Sequence, residues 1–198
     1  MALQSINIGS AANDGTGSTL RAAFDICNDN FTELYDGSGG LLHKIEGTNF
    51  TGSLLVGHST TGTIDNAYYN TALGISTLDA LTTADYNVAI GYNAGTAITT
   101  GSSNILIGSN AGDALVGGAS NIAIGRQALS TEDGHGRNVA IGHATLENQN
   151  AGTDAYNIAI GYTAGISVST GTFNTLIGGL AGDAVTTGHH NIAIGYSA

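Results

Sequence analysis

The sequence lacks several residue types that particular folds and functions require. It has no proline, no tryptophan and one cysteine, Cys27, which excludes an intramolecular disulfide framework and any paired-cysteine metal or redox motif. Only four residues are lysine or arginine, so no basic patch is predicted to neutralise phosphates of a nucleic acid or an anionic membrane. No segment resembles a signal peptide or a membrane-spanning helix, and synthesis in a cytoplasm is therefore expected.

Glycine and a repeated motif are what the sequence has in abundance. Of the 198 residues 31 are glycine, and the formal net charge is -11. An asparagine followed by an apolar triplet and a glycine recurs at intervals of 17 residues, with one interval of 19. The motif begins at Asn70, Asn87, Asn104, Asn121, Asn138, Asn157, Asn174 and Asn191, and Ser53 begins a copy without the asparagine.

This period predicts the fold class. A unit of 17 residues is too short for a helix pair and suits one coil of a parallel β-solenoid, in which successive coils are about 4.8 Å apart. We therefore expect a mainly β protein with about nine coils over residues 53–198. The glycine that ends each apolar triplet predicts a corner with positive φ or backbone crowding. A second, solvated strand is expected after the corner, as in "TAITT" from Thr96.

The apolar triplet predicts two faces of a strand, because side chains alternate with a period of two. We expect the β-branched residues to fill the coil interior. The roll core is then formed by Ile90, Ile107, Ile124, Ile141, Ile160, Ile177 and Ile194. The central residue is also apolar and mostly small, and a strand that is apolar on both faces is expected to be covered on both. That column predicts an interface between identical chains, formed by Ala72, Ala89, Leu106, Ala123, Ala140, Ala159, Leu176 and Ala193.

The amino-terminal part has a different pattern. Apolar residues spaced by four and three predict the seam of a short coiled coil over residues 18–36. The seam residues are Leu20, Phe24, Cys27, Phe31 and Leu34. Cys27 fits as a core residue, and a disulfide between chains is the alternative. Residues 1–17 are interpreted as an arm that docks on a partner, and residues 37–52 as a linker to the repeats at 53–198.

No combination of polar residues predicts catalysis, a metal site or a cofactor. His58 and His143 share a column five coils apart, about 24 Å, and His189 and His190 are adjacent, so they point to opposite faces. Asp79, Asp113 and Asp183 share a column that other residues interrupt, which does not give the paired carboxylates of a glycoside hydrolase. We therefore expect a protein that is not an enzyme.

One surface column is a candidate for ligand contact. The residue before each start is often aromatic, as at Tyr69, Tyr86, Tyr156 and Phe173. These rings are expected to stack as a ladder between coils. The alternative is a strip that contacts a glycan, because aromatic faces suit sugar rings.

The repeats resemble a known family. "NIAIGYTAG" from Asn157 with its glycine-rich return is similar to the head repeats of trimeric autotransporter adhesins of the YadA type, and the resemblance covers about three quarters of the chain. It implies a left-handed parallel β-roll and a homotrimer with the small central column at the trimer interface. Neither the handedness nor the number three follows from composition or spacing.

The amino-terminal segment resembles a second group of proteins. "INIGSAANDGTGSTLRAAFDICNDNFTELY" is similar to the opening segment of fibre and baseplate-associated proteins of tailed bacteriophages, including cyanophages. This resemblance implies a virion protein, a trimeric tail fibre or spike that attaches by its amino terminus to tail or baseplate proteins and recognises a host surface, with a cell-surface glycan as a candidate receptor. The alternatives are a bacterial adhesin head fragment and a capsid or tail decoration protein.

Overall fold

The computed structural model describes residues 43–44, 53–56 and 65–198. The chain divides into two compact units, Met1–Lys44 and Ile45–Ala198. In the first unit only strand β1 (His43–Lys44) is described. The predicted arm at 1–17 and the coiled coil at 18–36, with its seam of Leu20, Phe24, Cys27, Phe31 and Leu34, lie outside the described residues, as does most of the linker at 37–52.

The second unit is a parallel β-solenoid. Nine strands of three residues each follow one another along the chain, and each pairs in parallel with the next. They are β2 (Leu54–Val56), β3 (Thr71–Leu73), β4 (Val88–Ile90), β5 (Ile105–Ile107), β6 (Ile122–Ile124), β7 (Val139–Ile141), β8 (Ile158–Ile160), β9 (Thr175–Ile177) and β10 (Ile192–Ile194). About eight turns of the solenoid connect them, which confirms the predicted mainly β class and parallel coils.

The rest of each coil consists of turns. Between consecutive strands the described residues contain no second strand, so that prediction was wrong. The physical reason is a recurring left-handed backbone: in the coil that begins at Asn87, φ is 132° at Gly91, 56° at Asn93 and 58° at Gly95. A chain that enters this region at every second residue cannot remain extended.

The predicted glycine corner is confirmed. Gly91 has φ of +132°, and a Cβ built on it would lie 2.7 Å from the carbonyl oxygen of Gly108, the glycine at the same place one coil further on. Such a contact is closer than a real Cβ tolerates, so both the conformation and the stacking of the coils require glycine here. Equivalent glycines from Gly74 to Gly195 all have φ between 130° and 141°.

An asparagine ladder connects the coils at the start of each strand. Each buried asparagine accepts, through its Oδ1 atom, the backbone N–H of the next asparagine at 2.8–3.1 Å. Most also donate from Nδ2 to a carbonyl fourteen residues later, as Asn104 does to Gly118 at 2.8 Å. Ser53 substitutes for asparagine, with its Oγ atom accepting the N–H of Asn70 at 2.8 Å. The ladder explains why the repeat begins with this residue type.

The interior of the solenoid is filled by the central residue of each strand, which reverses the predicted placement. This inner column is buried inside the single chain and comprises Ala72, Ala89, Leu106, Ala123, Ala140, Ala159 and Leu176, with Ala193 partly buried. Its proposed role as an interface between chains was therefore wrong. The predicted core residues point outward instead, with partial exposure at Ile90, Ile107, Ile124, Ile141 and Ile177 and more at Ile160 and Ile194. The alternation of the two faces was correct.

The narrow interior is the physical reason for this reversal. A Cβ on Gly95 would lie 2.6 Å from Leu106 Cδ1, and one on Gly112 would lie 2.8 Å from Leu106 Cδ2. Leu106 therefore fits only because glycines face it in its own coil and in the preceding one. Where alanine occupies the inner column both in a coil and in the coil that follows it, leucine takes the place of these glycines, as at Leu78 and Leu129. Two columns of β-branched residues would exceed this volume.

Candidate functional site

The surface most suited to an interaction is the outer sheet face, which we define as the first and third residues of strands β2 to β10. It is aliphatic apart from two threonines, Thr71 and Thr175. The exposed fraction is 51% for Leu73, 38% for Ile105 and 40% for Ile158. Eight ladder spacings of about 4.8 Å give this face a length of about 38 Å.

Such a face is unusual for a parallel sheet. Parallel sheets are normally covered on both faces, and contiguous apolar patches on a soluble protein mark interaction surfaces. In the single chain the inner column is covered by the coil itself, whereas the outer sheet face has no comparable cover among the described residues. The strand is thus apolar on both faces, as the sequence indicated, but the face left uncovered in the single chain is the opposite one.

A ladder of aromatic rings runs along one edge of this face, as predicted. The rings of Tyr69 and Tyr86 stack at 5.0 Å between centroids, and Phe173 stacks between Tyr156 at 5.3 Å and His190 at 5.0 Å. Each of these residues has a left-handed φ between 53° and 59°. Stacking covers at least one face of each ring and both faces of Phe173, so a glycan would reach Phe173 only through its edge.

The ladder is interrupted by two serines, Ser103 and Ser120, and by one charged residue, Arg137. Arg137 lies between the two aromatic groups, and its guanidinium carbon is 5.5 Å from the centre of the Tyr156 ring. The same guanidinium forms an ion pair with Asp154. A cation over an aromatic face is attracted by the ring quadrupole, so Arg137 caps the second aromatic group. Whether these rings contact a glycan stays a prediction.

A second column of rings and cationic side chains follows the corner glycines, and it contains one stacked pair among the described residues. The rings of His143 and Tyr162 stack at 5.4 Å, and an Arg126 guanidinium nitrogen lies 3.1 Å from Nε2 of His143. Tyr92 and Tyr162 are 56% and 62% exposed. The outer sheet face is therefore flanked in sequence by two lines of rings and cationic side chains.

The carboxylates of the predicted column lie in coils that are not adjacent, at Asp79, Asp113 and Asp183. Burial raises the pKa of the Asp113 carboxyl, and hydrogen bonding to its own backbone and that of Ala114 opposes this shift. His189 accepts through Nδ1 the backbone N–H of Thr172 at 3.1 Å and lies 2.7 Å from its hydroxyl oxygen. This contact between neighbouring coils gives His189 a structural role, whereas His190 belongs to the aromatic ladder.

The sequence reasoning missed one cluster of titratable groups. Glu132, Asp133 and His135 bring one potential ligand atom each to within 4.8 Å of the others. Glu132 is fully buried although it occupies a column whose other members include Leu81, Ile98 and Leu115. Alignment of the repeats column by column would have revealed this residue, because a carboxylate is unexpected in an aliphatic column.

Comparisons with known proteins add no identification. No family model, curated protein or solved structure matches the chain. In the part of the chain that the structure describes, no helix has the length and apolar character to traverse a lipid bilayer.

Proposed function

We propose that this chain is a structural subunit of a phage virion, a homotrimeric tail fibre or spike that attaches by its amino terminus and projects the β-solenoid as a shaft or head toward the host surface. The outer sheet face is the observation that supports this assembly. It is an aliphatic surface about 38 Å long that the described part of the chain does not cover. A regular stack of coils joined by a continuous parallel ladder suits a mechanical role.

A second and a third copy of the same chain are the occupants that fit this face. Its aliphatic side chains repeat at every ladder spacing, and a partner must match that period over all nine strands. An identical chain arranged in parallel around a common axis does so automatically, because every coil meets its equivalent. Cyclic closure also leaves no copy of the face uncovered, which prevents open-ended association.

The number three, the left-handed coil and the virion location depend on the resemblances. YadA-type heads are left-handed rolls that assemble as trimers, and the amino-terminal segment resembles those of phage fibre and baseplate proteins. A short coiled coil over residues 18–36 would be marginal alone and is stabilised when the roll raises the local concentration of the three helices. The aromatic ladder then lies on the outside of the shaft as the candidate contact for a host glycan.

The assembly is tested by molar mass in solution. Light scattering behind size exclusion is expected to give three times the chain mass of 19.8 kDa, which is 59.4 kDa. The double substitution Ile107→Lys and Ile141→Lys places two charges per chain on the outer sheet face, and burying unpaired charges there is expected to give monomers. Thr170→Lys adds a charge to an exposed return turn and serves as the matched control, which should remain trimeric.

Two results would overturn the assembly. A wild-type mass near 19.8 kDa would mean that the face stays in solvent. An unchanged mass for the double lysine variant would mean that another surface joins the chains. Circular dichroism of each variant, compared with wild type, ensures that the mass reports assembly rather than unfolding.

The virion role is tested separately. Deleting residues 1–17 in the phage is expected to give particles without this protein while the purified variant remains trimeric. Normal incorporation of the shortened chain would refute attachment through the arm. A secretion signal encoded upstream in the same reading frame would instead favour a bacterial adhesin.

A further inference from the structure

The second core column of the solenoid changes character in two consecutive coils. It lies eleven residues after each start, and its members Leu81, Ile98, Leu115 and Val168 are fully buried aliphatic residues. Glu132 and Gln149 occupy the same position in the coils that begin at Asn121 and Asn138, and both are also fully buried. Two adjacent polar side chains in an aliphatic column cost stability unless they have partners.

Several polar atoms at this place lack a hydrogen-bond partner. They are Oε2 of Glu132, Nδ1 of His135, Nε2 of Gln149 and Nδ2 of Asn138, all inaccessible to solvent. Native proteins satisfy most buried polar atoms, so a concentration of unpartnered ones indicates an additional group. Because Glu132 and Gln149 are equivalent residues of neighbouring coils, their backbones are about one ladder spacing of 4.8 Å apart.

A tight turn brings the potential ligands together. Oε1 of Glu132 accepts the backbone N–H of His135 at 3.1 Å, and the same oxygen lies 3.6 Å from the Nδ1 atom of His135. Two ligands at about 2.1 Å from a tetrahedral ion are separated by about 3.4 Å, close to that distance. Asp133 offers the third ligand atom, with all three within 4.8 Å of one another.

The charges favour a cation in this turn. Burial raises the pKa of the Glu132 carboxyl and the neighbouring Asp133 raises it further, whereas hydrogen bonding from His135 and Ala151 and the His135 charge lower it. Arg137, two residues after His135, pairs with Asp154. His135 is the basic side chain that faces the buried Glu132 carboxylate, and a cation bound by both groups would offset that negative charge in its place.

We propose that Glu132, Asp133 and His135 bind one divalent transition-metal ion of the Zn²⁺ class in each chain. Imidazole nitrogen and carboxylate oxygen suit this class of ion. The buried amide of Gln149 supplies a donor that can orient a carboxylate or a metal-bound water. The ion would lock the turn between two coils and so stabilise the solenoid, because a ligand that binds the folded state alone raises its stability.

The test is metal titration of the full chain, made without a polyhistidine tag and stripped with a chelator. Isothermal titration with Zn²⁺ is expected to show one saturable site per chain and a rise in the unfolding temperature. His135→Ala should weaken binding by about 100-fold or more, since even the loss of an outer-shell partner costs 10–100-fold. His143→Ala removes a histidine of the same solenoid outside the cluster and should bind as the wild type does.

Glu132→Leu keeps the test decisive if the alanine variant is unstable. It restores the aliphatic residue of the column, so the variant should fold and yet lose both the saturable site and the stabilisation by Zn²⁺. With Co²⁺ as the probe, visible absorption typical of a site with a nitrogen ligand should appear in the wild type and disappear in His135→Ala. Absence of saturable binding in the wild type, or wild-type affinity in both variants, would overturn the proposal. Binding is counted per chain and does not depend on the oligomeric state.

Discussion

Replacement of Asn104 provides a direct measure of what the asparagine ladder contributes. The Oδ1 atom of Asn104 accepts the N–H of Asn121 at 2.9 Å, and its Nδ2 atom donates to the carbonyl of Gly118 at 2.8 Å. Asn104→Ala removes these bonds and a third, from Nδ2 to Oδ1 of Asn87 at 3.1 Å. It leaves the buried N–H of Asn121 and the buried carbonyl of Gly118 without partners, whereas Oδ1 of Asn87 still accepts the backbone N–H of residue 104. At about 1–3 kcal/mol for each such group, the free energy of unfolding should fall by about 2–6 kcal/mol.

Asn104→Ser separates the two contributions. Ser53 shows that a serine oxygen at this place can accept the next N–H, at 2.8 Å from Asn70. The serine variant should therefore lose only the two bonds donated by Nδ2. Of their acceptors the carbonyl of Gly118 alone is left without a partner, at a cost of about 1–3 kcal/mol, because Oδ1 of Asn87 still accepts the backbone N–H of residue 104. Asn150→Ala is the control, because this side chain makes only a long, exposed contact of 3.5 Å with the carbonyl oxygen of Thr131, and it should cost about 0.5 kcal/mol or less.

The assay is urea unfolding followed by circular dichroism at one fixed chain concentration, because the stability of an oligomer depends on concentration. Equal slopes against urea for all variants are required before the free energies are compared, since a long solenoid can lose two-state behaviour. The reasoning fails if Asn104→Ala unfolds within about 0.5 kcal/mol of wild type, or if serine costs as much as alanine.

Three further predictions concern packing, pH and ligand contact. Gly112→Leu should destabilise the solenoid by crowding Leu106, and adding Leu106→Ala should recover part of the loss, with a coupling of about 0.5–3 kcal/mol in a double-mutant cycle. Asp113→Asn should stabilise the protein at neutral pH. Folding raises the pKa of the Asp113 carboxyl, so this group destabilises the folded state as the pH rises above the ordinary pKa of 3.8. The gain from the substitution should vanish below that pH, and a gain independent of pH would contradict the burial argument. Alanine at Tyr69 and Tyr86 should reduce host adsorption without changing the molar mass, and unchanged adsorption would exclude this ladder as the glycan contact.

The repetitive features of the fold were predictable, and the choice of the inner face was not. The period of 17, the parallel coils and the corner glycines follow from the spacing alone, because stacked coils repeat each backbone constraint. The triplet around Ala123 also gave the correct alternation. It could not show that Ala123 faces inward and Ile124 outward, since that depends on an interior width set by residues in the turns.

The turn conformation and the acidic cluster were not predicted from the sequence, for different reasons. Asn93 adopts a left-handed φ of 56° in a segment whose composition also suits a strand. The cluster around Glu132 depends on one residue that departs from its column, and a search for known ligand spacings does not detect it. Column-by-column comparison of the repeats would have found Glu132, although not the approach of His135.

The coil that begins at Asn138 shows how length and surface can vary independently. It has seven residues between Gln149 and Asn157 where the preceding coil has five, and yet Asn157 still donates its N–H to Oδ1 of Asn138 at 3.1 Å. Extra residues in the return turn leave the pairing between these two coils unchanged. An added unit of 17 residues would instead lengthen the solenoid by one coil and preserve the register of every strand. The number of coils therefore sets the length of the solenoid, and the return turns can change in length and sequence without altering it.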